Sequence, residues 1–349
     1  MKYTIFGESH GTAIGVVLSD VPSGLILNME QVATELKRRA PGGNPLSTPR
    51  NEKDKVEIMS GLFEGKTTGT PLCAMIFNGD TRSKDYQPNL PRPSHGDFSG
   101  NVRYACSNDY RGGGHFSGRL TAPLVFAGAV AKQILAKNHI YVGAHISNIH
   151  GIADGEFDFT TATKEDFEAL AAKQFPTISD TQGEKMETEI LKAKGQQDSV
   201  GGTITCMAIG VPAGFGAPDL GCNVEGVFAQ HLFAVPAVKG VSFGAGFDLA
   251  TLYGSQANDP FYMKGDTVKT KTNHAGGVNG GITNGMPLVC TVVMRPTPSI
   301  SQEQDTVNMV TGENAKLVIH GRHDPCVVHR AVPVVEAACA LAICEILGL

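Results

Sequence analysis

Glu8-Ser9-His10-Gly11-Thr12-Ala13-Ile14 runs into Val21-Pro22-Ser23-Gly24, and Asp198-Ser199-Val200-Gly201-Gly202-Thr203-Ile204 runs into Val211-Pro212-Ala213-Gly214, every element displaced by the same 190 positions. A helix pattern follows in both places. Asn28 can cap a stripe of Met29, Val32, Ala33 and Leu36, and Asn223 can cap Val224, Val227, Phe228 and Leu232. Further on, Thr67-Thr68-Gly69-Thr70-Pro71-Leu72 matches Thr283-Asn284-Gly285-Met286-Pro287-Leu288, each ahead of an apolar strand. Arg119 and Arg330 then each precede a long apolar helix, Ala122–Leu135 and Val332–Leu347. Four matches in one order point to duplication.

The predicted fold is therefore α+β, an internally duplicated β-α-β sandwich with helices packed between two antiparallel sheets. Strands are expected at Ile14–Leu18, Ala74–Phe77, Ile204–Ile209 and Val289–Met294. The whole chain, 1–349, reads as a single domain of two related halves, about 1–135 and 198–349. The stretch 154–197 is polar, with helix-like patches at Lys164–Lys173 and Lys185–Lys194, and reads as an insertion or lid.

Composition narrows the function. The 42 glycines exceed the roughly 24 that average usage gives, so the backbone turns tightly or approaches ligands closely. A net charge of −5 argues against a nucleic-acid partner. The start Met1–Gly11 has no apolar core behind Lys2, and the longest apolar run, Ala122–Ala131, is about half of the ~20 residues of a membrane span. The eight cysteines form no C-x-x-C, and Cys73, Cys206, Cys290, Cys339 and Cys344 lie in apolar stretches, as buried free thiols do. A cytoplasmic location is expected.

All eleven arginines lie in two segments, 38–119 and 295–330. Lysine would serve equally on a solvated face, whereas arginine is preferred where carboxylate or phosphate is held by two parallel hydrogen bonds. Accidental clustering on the surface is the bland alternative. His10, His95, His115, His323 and His329 share those segments or the equivalent strand start, which suits acid–base chemistry near neutral pH. No metal is expected, since neither His-x-x-x-His nor Glu-x-x-His occurs and acids in these runs reduce to Asp97 and Asp324.

Two motifs are decoys. Gly7-Glu8-Ser9-His10-Gly11 has the form of a hydrolase nucleophile elbow, but only six residues precede it, too few to build the sheet such an elbow needs. Gly61-Leu62-Phe63-Glu64-Gly65-Lys66-Thr67 is one residue short of a P-loop and reads as a hairpin.

Four stretches carry a resemblance to the chorismate synthase family. They are Phe6–Gly11; Arg92-Pro93-Ser94-His95-Gly96-Asp97 with Asp109–Gly114 and Ser117–Arg119; Asn273–Gly277; and Gly321-Arg322-His323-Asp324-Pro325-Cys326 through Pro333. The resemblance implies 1,4-elimination of phosphate from 5-enolpyruvylshikimate 3-phosphate to give chorismate, in the shikimate pathway. It also implies a need for reduced FMN, and a homotetramer. By motif, His10 resembles the acid that protonates the leaving phosphate and His95 a histidine holding a proton near the flavin. Asp324 resembles the carboxylate that assists proton removal at the flavin N5. FMN contacts would fall on His115, Phe116, Ser117, Pro236, Ala237, Gly280, Arg295, Pro296, Thr297, Pro298, Ser299 and Arg322. Substrate contacts would fall on Arg39, Arg103, Arg119 and Arg330, with Arg39 also the NADP contact if NADPH is the reductant. The sequence departs from the family's frequent residues at Pro45, His115, Leu120, Pro236 and His329. Two rival readings stay open, a flavin reductase without lyase activity and a non-catalytic binder of phosphorylated metabolites.

Overall fold

The computed structural model describes residues 1–42, 45–48, 54–79, 86–219, 221–319 and 323–349. Its first half contains strands β1 (Lys2–Gly7) and β2 (Ala13–Ser19), helix α1 (Met29–Arg39), strands β3 (Val56–Ser60) and β4 (Leu72–Phe77), and helices α2 (Asp97–Arg103) and α3 (Thr121–Ala136). Strands β5 (Tyr141–Ile149) and β6 (Ile152–Ala153) follow, then helices α4 (Lys164–Ala171) and α5 (Asp180–Gly195). The remainder holds β7 (Gly202–Ile209), α6 (Val224–Phe233), β8 (Val238–Phe243), β9 (Leu288–Met294) and α7 (Val328–Leu347).

Two antiparallel sheets enclose the helices, as expected of the sandwich. The first runs β1-β2-β4-β3 and the second β8-β9-β7-β5-β6. Read from β5, the second sheet runs β5-β7-β9-β8, the same order of appearance and pairing as the first. Between them α3 packs on the first sheet and α7 on the second, with α1 and α6 flanking. Helices α3 and α7 are buried nearly all round, which a helix tolerates only inside a core. They cross closely because Gly128 has no side chain: a Cβ there would come 2.1 Å from that of Ala337. No helix among the described residues is long and apolar enough to cross a membrane.

Local chemistry explains the matched turns. Asn28 accepts from the amides of Glu30 and Gln31, and Asn223 from that of Gly226, so each caps its helix. The Thr67 hydroxyl donates to Pro22 O at 2.5 Å and accepts from the Leu25 amide at 2.9 Å. Thr283 does the same with Pro212 O at 2.7 Å and the Phe215 amide at 3.0 Å.

Three expectations need adjusting. The second helix of the 154–197 segment starts at Asp180, five residues before the predicted Lys185, because Ser179 caps it by accepting from the Gln182 amide. Arg330 lies inside α7, in its first turn, where it was expected to precede the helix. The β5 strand had no counterpart in the sequence reading, since buried His145 interrupts its apolar pattern.

Candidate active site

A cavity of about 700 Å³ opens beside α3 and the start of α7, within the range typical of small-molecule sites. The turn Arg111–Phe116 forms one wall. Gly112 and Gly113 adopt φ of 64° and 83°, and a Cβ at Gly112 would come 2.5 Å from the His10 ring. A Cβ at Gly113 would sit 3.0 Å from the His95 ring. Both positions therefore need glycine twice over, for conformation and for space. The two histidines, 85 positions apart, lie against adjacent glycines of one turn.

His10 sits in the turn between β1 and β2, 8% exposed, edge-on to the Tyr86 ring at 5.5 Å. His10 does not itself line the cavity; its neighbours Gly112 and Tyr86 do. His95 lines the cavity directly, and its Nδ1 lies 2.7 Å from Asp97 Oδ1. Asp324 accepts from the Thr48 amide at 2.8 Å and from Arg330 Nη1 at 2.5 Å. Arg330 Nε also donates to the Arg39 carbonyl at 3.0 Å, which joins the start of α7 to the end of α1.

Two of the expected substrate arginines share one carboxylate. Arg39 Nη2 donates to Asp54 Oδ2 at 2.6 Å and Arg119 Nη1 donates to Asp54 Oδ1. Burial would raise the Asp54 carboxyl, yet the two guanidiniums hold it below its ordinary value. Arg119 Nε donates to Asn78 Oδ1 at 3.1 Å, while Asn78 Nδ2 donates to the carbonyls of Glu8 at 3.0 Å and Gly11 at 2.9 Å. One amide thus ties the arginine to the turn that carries His10. Asp54, Asn78 and Lys239 were not singled out in the sequence, because their roles come from proximity that no local pattern encodes.

Of the expected cofactor contacts, His115, Phe116, Ser117, Pro236, Ala237, Arg295, Thr297, Pro298 and Ser299 line the cavity. His115 Nδ1 donates to the Gly7 carbonyl at 3.0 Å, and Arg295 Nη1 to that of Ser94 at 2.7 Å. Three expected residues do not join them. Gly280 is exposed on the hairpin Val278–Asn279 with Ile282–Thr283, and Pro296 is exposed between two lining neighbours. Arg103 is exposed at the end of α2, its guanidinium 6.0 Å over the Tyr104 ring. Arg322 lies outside the described residues. His323 lines the cavity, whereas His329 turns away from it and stacks on Phe175 at 6.0 Å. Burial pushes the His329 ring down to about 4, so this one is a core histidine.

Charge sets the cavity's character. Arg39, Arg92, Arg119, Lys239, Arg295 and Arg330 line it, against the three carboxylates Asp54, Asp97 and Asp324 that pair with four of them. Among the described residues this leaves a cationic surplus facing a partly apolar wall of Leu120, Leu124, Val327 and Val334. Such a site suits a large ligand that is anionic at one end and flat and apolar at the other.

The family model described as chorismate synthase matches residues 1–347. The chain belongs to the chorismate synthase family. It is 43% identical over 347 residues to the chorismate synthase of Methanosphaera stadtmanae, covering 99% of this chain and 93% of that protein. It is 44% identical over 348 residues to that of Thermococcus gammatolerans, covering 99% and 95%. A crystal structure of a chorismate synthase superposes with a TM-score of 0.78 at 28% identity, covering 99% of this chain and 91% of that one. Membership of the chorismate synthase family fits a cavity with a cationic surplus, lined by His95, His115 and His323, and it sets the hydrolase and P-loop decoys aside.

Proposed function

We propose that this chain carries out the family's reaction in this cavity, eliminating phosphate from 5-enolpyruvylshikimate 3-phosphate to give chorismate. The observation that carries the reading is one 700 Å³ space lined by His95, Asp324 and the arginine surplus, with the His10 ring packed against Gly112 of its wall. The substrate brings a phosphate and two carboxylates, and guanidinium forks meet such groups bidentately where lysine offers only a point charge.

Reduced FMN is the proposed cofactor, and the donor set fits it. Thr297 Oγ1 is buried without a hydrogen-bond partner among the described residues, in the cavity that Ser299 and Arg295 also line. His115, Phe116, Ser117, Pro236, Ala237, Arg295, Thr297, Pro298 and Ser299 would hold the cofactor. When bound, the reduced flavin supplies the electronic chemistry of the elimination and is not consumed. The protein's own groups do the rest. His10 donates a proton to the departing phosphate oxygen, and the arginines meet its developing charge. Asp324 would assist proton removal beside the flavin N5, with Arg330 and Thr48 fixing the plane of its carboxylate. Arg39 would be the NADPH contact if the enzyme reduces its own flavin.

The matched sheet orders and turns support the duplication reading, but the strand order carries the second unit back from the expected 198 to β5, so that 154–197 is inserted in the turn that, in the first unit, carries His10. A cytoplasmic homotetramer is the proposed state. The exposed side chains of Phe247, Tyr253 and Phe261, the first 83% accessible, support self-association. Incubating protein, substrate and reduced FMN without oxygen tests the function. Phosphate and chorismate should appear in equal amounts while the flavin stays reduced. One flavin oxidised per chorismate formed, or no phosphate at all, would refute it.

A further inference from the structure

His95 lines the cavity through a ring whose other side is fixed. Its Nδ1 lies 2.7 Å from Asp97 Oδ1. Arg92 grips the same carboxylate with Nε on Oδ2 at 2.7 Å and Nη2 on Oδ1 at 2.8 Å, and its amide donates to Oδ2 at 3.1 Å. Burial would raise the Asp97 carboxyl, but these donors hold it well below the usual carboxylate range, so it carries no proton and can only accept.

That settles the neighbouring proton. Arg92 Nη2 also lies 3.0 Å from His95 Nδ1, so distance alone allows a bare Nδ1 accepting from arginine. A lone pair on Nδ1 would then face an ionised oxygen at 2.7 Å, which repels it, whereas Nδ1–H donates to that oxygen. Arg92 already directs its donors at Asp97, and Nη1 lies 3.4 Å from the Ser299 hydroxyl, which anchors the guanidinium to the second half of the chain. With Nδ1 committed, Nε2 is the only ring atom left to exchange a proton. Gly113 leaves it room: a Cβ there would approach within 3.2 Å of Nε2.

We infer that Asp97, clamped by Arg92, is a positioning residue that locks His95 in its Nδ1–H tautomer and reserves Nε2 for proton transfer in the cavity. This rests on the reading of His95 as an acid–base group. The Asp–His arrangement is the same device that orients the general base of serine proteases.

The test is ring-nitrogen NMR of histidine-labelled holoprotein at a pH where the imidazole is neutral, His95 being assigned by its loss in His95→Gln. Wild type should show a protonated Nδ1 and a bare Nε2. In Asp97→Asn the side-chain NH₂ would face Nδ1 and move the proton to Nε2. The kcat should then fall on the order of 10²–10⁴-fold, with FMN affinity within about threefold, and Asp97→Glu should recover at least tenfold over the asparagine variant. A wild-type spectrum with the proton on Nε2 overturns the inference, whatever the variants do. So does an Asp97→Asn enzyme with unchanged kcat and spectrum. If His95→Gln keeps wild-type turnover, the acid–base reading of His95 fails, and the spectrum still decides the tautomer on its own.

Discussion

Arg38 and Arg39 are consecutive on α1, and they face different surroundings because neighbours on a helix point about 100° apart. Arg38 turns into the core, where Nη1 and Nη2 fork Glu336 of α7 at 2.6 and 2.8 Å. Lys132 joins the same carboxylate at 2.5 Å and Glu35 at 3.0 Å, so two cations meet two carboxylates with no cavity between them. Burial would raise the Glu336 carboxyl, but Arg38 and Lys132 hold it below its ordinary value. Arg39 turns the other way, 2% exposed, and shares Asp54 with Arg119 at the cavity wall. One cluster is closed and charge-balanced, and the other opens onto a space with cations in excess. Both use buried arginine, so burial and arginine alone do not mark a site; the unbalanced charge beside an open volume does.

That contrast can be broken from either side. The largest effect belongs to the open side: His10→Ala should lower turnover by about 10²–10⁴-fold while FMN affinity changes little, measured by steady-state kinetics and flavin titration. A variant keeping more than half of wild-type turnover would remove His10 from the chemistry. On the closed side, Glu336→Gln leaves Arg38 and Lys132 with Glu35 as their one carboxylate and should cost about 3 kcal/mol of stability, read by denaturant unfolding. Substrate affinity of the folded fraction should be unchanged; a large loss of affinity would mean the two clusters are one.

A smaller effect should come from His329, whose ring folding pushes from 6.5 down to about 4. The unfolded chain then binds the extra proton, so stability falls as pH drops from about 6.5 towards 4, by up to about 3 kcal/mol. His329→Leu should flatten that limb of the stability curve and leave the region above pH 7 nearly unchanged. An identical slope in both proteins would show that the ring is not held neutral in the fold.

Much of this was legible in the sequence, for definite reasons. The strands at Ile14–Leu18 and Val289–Met294 were readable because short, uncharged, mostly apolar runs rich in β-branched residues lie between turn residues, and the structure extends each by one residue at one or both ends. Helices α3 and α7 were readable from length and apolarity. Strand β5 was not, because His145 is accommodated by partners outside the strand, Asp154 nine positions on at 3.2 Å and the Phe157 ring at 4.8 Å. The candidate site was half legible. Residues within motifs, such as His95, Arg119 and Asp324, could be named, and the arginine segregation located their meeting place. Asp54 and Asn78 could not, since their importance arises only when α1, α3 and the β1–β2 turn converge. Arg38 shows the opposite error: the same segregation counts it with the site arginines, and only its Glu336 partner assigns it to the core.

The central claim is that anionic substrate is held by the open cluster and not the closed one. Isothermal titration of 5-enolpyruvylshikimate 3-phosphate against FMN-loaded wild type, Arg119→Lys, Arg330→Lys and Arg38→Lys tests it most directly. Lysine keeps the charge but loses the fork, so the first two variants should each weaken binding by roughly 1.5–3 kcal/mol, and Arg38→Lys should match wild type. Unchanged affinity in Arg119→Lys and Arg330→Lys, or an equal loss in Arg38→Lys, would contradict it.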